Sequence, residues 1–105
     1  MNIPDIILRK VQVAMKLKEE EFQSYLTLLK TEAEAYVMNF FVVTSVDENV
    51  KNICIDLHVQ YTLFSKIEYE RVAEDKLRTL HEIIDAFNTN YEKRRPIVRG
   101  GVTFL

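Results

Sequence analysis

Apolar and polar side chains alternate along residues 6–17, IILRKVQVAMKL, where Val11, Val13, Met15 and Leu17 are set against Lys10, Gln12, Ala14 and Lys16. A period of two predicts a half-buried β-strand, because successive side chains of extended backbone point to opposite faces. From Lys18 the period lengthens. Phe22, Tyr25, Leu26, Leu29, Ala33 and Tyr36 follow the i, i+3, i+4, i+7 rule, and Glu19, Glu20 and Glu21 stand where a helix N-terminus favours negative charge. The spacing predicts an amphipathic helix over residues 18–34.

Residues 35–46, AYVMNFFVVTSV, are rich in β-branched and aromatic side chains on both alternating faces, the pattern of a strand covered on both sides or lying at an interface. Asp47, Glu48 and Asn49 supply turn-forming residues. Beyond them Ile53, Ile55, Leu57, Val59, Tyr61 and Leu63 take one face of a further strand, and Asn52, Cys54, Asp56, His58, Gln60 and Thr62 the other. These two strands would pair as an antiparallel hairpin. Residues 70–93 carry Ala73, Leu77, Leu80, Ile84, Phe87 and Tyr91 as one helical stripe that Pro96 ends, and the apolar tail PIVRGGVTFL would return as an extended segment. The expected fold is therefore α+β: an antiparallel sheet of three or four strands with two amphipathic helices, in the order β-α-β-β-α-(β).

The chain of 105 residues has the length of a single domain, 1–105, and its 48% apolar and 29% charged residues suit a packed core. A net charge of −2 gives no general attraction to nucleic acid or anionic lipid, so binding to either would require a local patch. One cysteine excludes an intrachain disulfide and fits a reducing compartment, with cytoplasmic location the expectation. The N-terminal apolar run, broken by Arg9 and Lys10, reads neither as an export leader nor as a membrane span.

Cys54, Asp56 and His58 offer a thiol, a carboxylate and an imidazole on one strand face. Extended backbone would separate Cys54 from His58 by about 13 Å, too far for a base to activate a nucleophile. Three ligands are too few for a closed zinc site, so neither catalysis nor metal is expected. Lys93, Arg94, Arg95 and Arg99 form a basic cluster that could contact nucleic acid or simply complement a helix C-terminus. The basic-glycine-aromatic signature of RNA-recognition strands is missing, which argues against nucleic acid. Gly100 and Gly101 have no following helix to supply the amides of a phosphate cradle, and no cofactor fingerprint occurs.

Leu80, Glu82, Ile83, Ile84, Pro96, Ile97, Val98, Val102, Thr103 and Phe104 resemble the last helix and closing segment of the SecB family of export chaperones. The stretch AYVMNFFVVTSVDENVKNICIDLHVQYTLFSKIE is similar to that family's second and third strands, with Val59, Gln60 and Phe64 matching their close. The resemblance implies an ATP-independent holdase that binds non-native or partner polypeptide, without cofactor, in apolar grooves and assembles as a dimer or tetramer. Alternatively it implies a relative devoted to one client. Phe40, Val42, Val59, Tyr61 and Phe64 would then line the polypeptide-binding surface, and the apolar strand at 36–43 would carry self-association. The other reading is a ferredoxin-like regulatory or nucleic-acid-binding module.

Overall fold

A computed structural model describes residues 3–94, with residues 93 and 94 described as helical backbone only. Its regular structure consists of four helices: α1 (Asp5–Met15), α2 (Glu19–Met38), α3 (Glu48–Lys66) and α4 (Glu70–Arg94). No strand occurs among the described residues, so the α+β expectation is overturned, and with it the β-α-β-β-α order of the ferredoxin-like reading. The final extended segment lies outside the described residues.

Each misassigned strand has a specific cause. In the first, Ile7, Leu8, Val11 and Met15 also satisfy helical spacing, and this period prevails: Val11 is fully buried while Val13 faces outward, whereas a strand would have put both on one face. Residues 35–38 continue α2 by one further turn, which brings Val37 into the core beside Ala33. The expected third strand is α3. Its buried residues Cys54, Ile55, Val59, Leu63 and Phe64 follow the helical period, and Ile53, assigned by alternation to the apolar face, is largely exposed. Tertiary packing here overrides the strand propensity of the β-branched residues. The helices expected at 18–34 and 70–93 do form, as α2 and α4.

The helix ends show why the chain turns where it does. The Asp47 carboxylate caps α3 by accepting from the backbone N–H groups of Asn49 at 2.9 Å and Val50 at 3.2 Å. Glu21 accepts from the N–H of Lys18 at 2.8 Å and so ties down the start of α2. Helices α1 and α3 close with left-handed residues, Lys16 (φ 57°) and Glu68 (φ 64°). At each, the following N–H reaches back to an orphan carbonyl, Leu17 to Gln12 and Tyr69 to Phe64.

Helix α3 is central and packs against α1, α2 and α4. The core draws Val11 from α1, Phe22, Leu26, Leu29, Ala33 and Val37 from α2, Cys54, Ile55, Val59 and Leu63 from α3, and Leu80 and Ile84 from α4. Removing one such side chain, as in Leu63→Ala, costs about 2–5 kcal/mol through lost transfer energy and the cavity left behind. Helix α4 runs back along α3, so Val50 near the start of α3 and Phe87 near the end of α4 line one cleft.

Candidate functional site

Three helices bring their aromatic and imidazole side chains together on one side of α3. Tyr36, in the last turn of α2, lies against His58 of α3 with ring centroids 4.3 Å apart and planes inclined at 34°. Its hydroxyl is 2.9 Å from Nε2 of His81 on α4, donating or accepting according to the imidazole tautomer. Phe40 meets His81 edge-on at 4.8 Å and Tyr36 at 5.1 Å. Tyr61 extends the group on the far side, 5.7 Å from His58. The cluster thus contains both histidines of the chain. Among the described residues no third Cys, His, Asp or Glu joins them in a metal-binding group.

Helical spacing builds the cluster. His58 and Tyr61 are three residues apart on α3, and Tyr36 and Phe40 four apart across the end of α2, so each pair shares a face. Phe40 lies beyond the last helical residue and is positioned from outside. The Asn88 side chain on α4 donates to the Phe40 carbonyl at 2.8 Å and accepts from the Val42 N–H at 3.0 Å. This two-point clamp fixes the α2–α3 connection against α4. Phe40 remains 44% exposed, which makes it the open edge of an otherwise half-buried set of rings.

Burial favours the neutral forms of His58 and Tyr36. Burial holds His58 below the usual imidazole range, Glu32 works the other way, and His81 lowers it further. Burial raises the Tyr36 phenol, with Tyr61 adding to the effect. Tyr25, one helical stretch upstream, is raised by burial and by Glu32, and its buried hydroxyl has no hydrogen-bond partner among the described residues.

The residues expected to line a polypeptide site divide sharply. Phe40 and Tyr61 lie in the cluster, and Val42 is exposed beside it on the clamped connection. Val59 is sealed in the core, and Phe64 is buried beneath Tyr69, on which it stacks. The apolar segment 36–43 likewise is no two-sided strand, since Val37 and Phe41 are buried while Phe40 and Val42 face outward. In the sequence Tyr36 stands out only as part of the α2 apolar stripe, and His81 and Asn88 are not singled out, although the four-residue spacing of Tyr36 and Phe40 becomes visible once α2 extends to Met38.

The polar strand face expected at Cys54, Asp56 and His58 is corrected as well. On α3, Cys54 and His58 are one turn apart, about 6 Å between backbones instead of 13 Å. The thiol is nonetheless turned into the core, where burial pushes it up to about 11, so the thiolate is disfavoured. An open cleft of 580 Å³ between α2 and α3 is lined by Thr27, Lys30, Thr31, Glu34, Asn52, Ile55 and Asp56. Thr27 and Thr31 are occupied by backbone carbonyls of their own helix, and Lys51 bridges Glu34 and Glu48. The basic cluster and Gly100–Gly101 lie where side chains are not described. No described helix is long and apolar enough to cross a membrane.

Comparison with protein-family models, with curated proteins and with solved structures returns no match for this chain.

Proposed function

We propose that this chain is a helical protein-binding module that receives an apolar or aromatic side chain of a partner polypeptide on the Phe40, Tyr36, His58, His81 and Tyr61 surface. The observation that carries the reading is Phe40, 44% exposed at the edge of a ring cluster built from three helices and held by Asn88. An exposed aromatic of this size, beside half-buried rings that keep water out, has the makings of an interface anchor. Preorganisation strengthens the case, because the clamp removes part of the ordering cost that a free loop would bear on binding. Polypeptide is favoured over single-stranded nucleic acid. Stacking platforms for bases are interleaved with cations, whereas the charged side chain acting on His58 is the carboxylate of Glu32.

The test is a fluorescence titration of a permanently unfolded, apolar-rich polypeptide, with single-stranded RNA in parallel. Phe40→Ala is expected to weaken polypeptide binding by about 1–3 kcal/mol while leaving the helical signal intact. Salt should change the affinity little. Absence of polypeptide binding, or equal binding by Phe40→Ala, would overturn the reading, and tight salt-sensitive RNA binding would replace it.

A further inference from the structure

At the other end of α3 from the Asn88 clamp, α1 presents an outer face that the aromatic surface does not use. Ile6 and Val13 are 65% and 69% exposed, more than any other large apolar side chain described. Seven residues apart, they stand about two turns from each other on one face, while Val11 on the opposite face is sealed in the core. Exposed Lys10 lies to one side of this pair and exposed Arg9 to the other, at a cleft it shares with Asp5 and Glu19, while exposed Lys16 closes the helix just beyond Val13. Between Ile3 and Lys18 the chain carries four cations against the single carboxylate of Asp5, in a protein whose net charge is −2. The ion pairs among the described residues involve Lys51 and Arg78 and leave the α1 cations out.

We propose that this face of α1 docks peripherally on anionic lipid headgroups. Aliphatic side chains centred between cations suit an interface in which Ile6 and Val13 enter the acyl boundary and Arg9, Lys10 and Lys16 reach outward to phosphates. Ile6 and Val13 project from the outer face of α1, and neither lines the cleft that Leu8, Arg9 and Gln12 form with the start of α2. A folded protein partner would need a complementary groove, whereas a fluid headgroup layer closes around projecting side chains. Lys10 also brings in Tyr69 from the α3–α4 connection, donating to its hydroxyl at 2.9 Å with Nζ 5.4 Å from the ring centroid. Tyr69 is exposed and adds an amphipathic ring of the kind that sits at headgroup depth. Glu19, Glu20 and Glu21 at the start of α2, and Glu68 and Glu70 beside Tyr69, bound the basic face. The contact is therefore limited to one helix and its rim, and is reversible.

Co-sedimentation of the full, tag-free chain with vesicles decides the matter. The chain should bind vesicles of phosphatidylcholine with about 30% phosphatidylserine at low salt, release them at high salt, and ignore phosphatidylcholine alone. Arg9→Ala and Lys16→Ala should each weaken binding about fivefold. Ile6→Ser with Val13→Ser should reduce it at least about tenfold with the far-ultraviolet circular dichroism unchanged, since both side chains are already exposed. Phe40→Ala should bind vesicles like the parent chain, which separates this surface from the polypeptide site. No binding to anionic vesicles at low salt, equal binding to neutral vesicles, or preference for an acidic amphipathic peptide over anionic vesicles would each overturn the proposal.

Discussion

The Tyr36 hydroxyl and the Nε2 atom of His81 form a 2.9 Å hydrogen bond that joins the last turn of α2 to the middle of α4. Both side chains are half-buried. Tyr25 on the same helix presents the opposite situation, a buried hydroxyl with no partner among the described residues. One substitution therefore has two expected signs.

Tyr36→Phe should destabilise the fold by about 0.5–1.5 kcal/mol, because a made bond is lost and the His81 ring loses a partner. Tyr25→Phe should be neutral or stabilising by up to about 1 kcal/mol, since it removes a desolvated hydroxyl at nearly constant shape. Urea denaturation of both variants checks this, and the same sign in both would contradict the hydrogen-bond assignment.

Stability should fall on mild acidification. Burial holds the folded-state pKa of His58 below the ordinary imidazole value of 6.5, so the fold prefers the neutral ring. That preference is fully present above the unfolded pKa near 6.5 and diminishes as pH falls through it, until the folded pKa is passed and the loss is complete. Glu32 from α2 moderates the effect, and His81 from α4 deepens it. Thermal melts between about pH 8 and pH 5 should show the decline, with a smaller slope for His58→Gln. An identical slope in that variant would place the pH dependence elsewhere.

The sequence showed the two long helices because their stripes run for several turns, enough for only one period to fit. Phe22, Leu26, Leu29 and Ala33 on α2, and Ala73, Leu80 and Ile84 on α4, lie in the core as their spacing requires. Residues 6–17 and 53–63 were ambiguous for a physical reason: their apolar positions are dense enough to satisfy both periods, and the β-branched residues tip local preference toward strand. What decides is packing across distance, above all the seating of Cys54, Val59 and Leu63 against other helices. Asp47 carried a usable signal, since a turn-forming carboxylate before an apolar run is also a helix cap, which it proved to be. Of the candidate site, Phe40, Val42 and Tyr61 entered only through the resemblance to the SecB hairpin, since the strand pattern assigned to them gave no sign of which would be exposed. His81 and Asn88 were not legible, because their roles arise only when α4 is brought alongside the end of α2.

Burial makes Cys54 a packing residue. In the folded chain it should resist an aromatic disulfide reagent at about pH 8, where the urea-unfolded chain reacts readily. Cys54→Ala should cost about 1–2 kcal/mol, and Cys54→Ser more, because its hydroxyl would enter the core beside Ile55 and Val59. Polypeptide binding per folded molecule should be unchanged in both. Rapid labelling of the native chain would show that the thiol is reachable.

The Asn88 clamp links the fold to the proposed function most directly, and its two bonds can be separated. The amide group donates to the Phe40 carbonyl, and its oxygen accepts from the Val42 N–H. Asn88→Ala removes both and should cost about 1 kcal/mol in global stability, since the bonds are exposed. Its larger effect should be local: protection of the Val42 amide from hydrogen exchange should be lost, and polypeptide affinity should fall several-fold as Phe40 is released from its position. Asn88→Asp keeps an acceptor for Val42 but has no donor for the Phe40 carbonyl. Val42 protection should therefore survive in Asn88→Asp while the affinity still falls, because the second strut of the clamp is missing. Retained affinity in Asn88→Ala, with Val42 protection gone, would mean that Phe40 is not preorganised by Asn88.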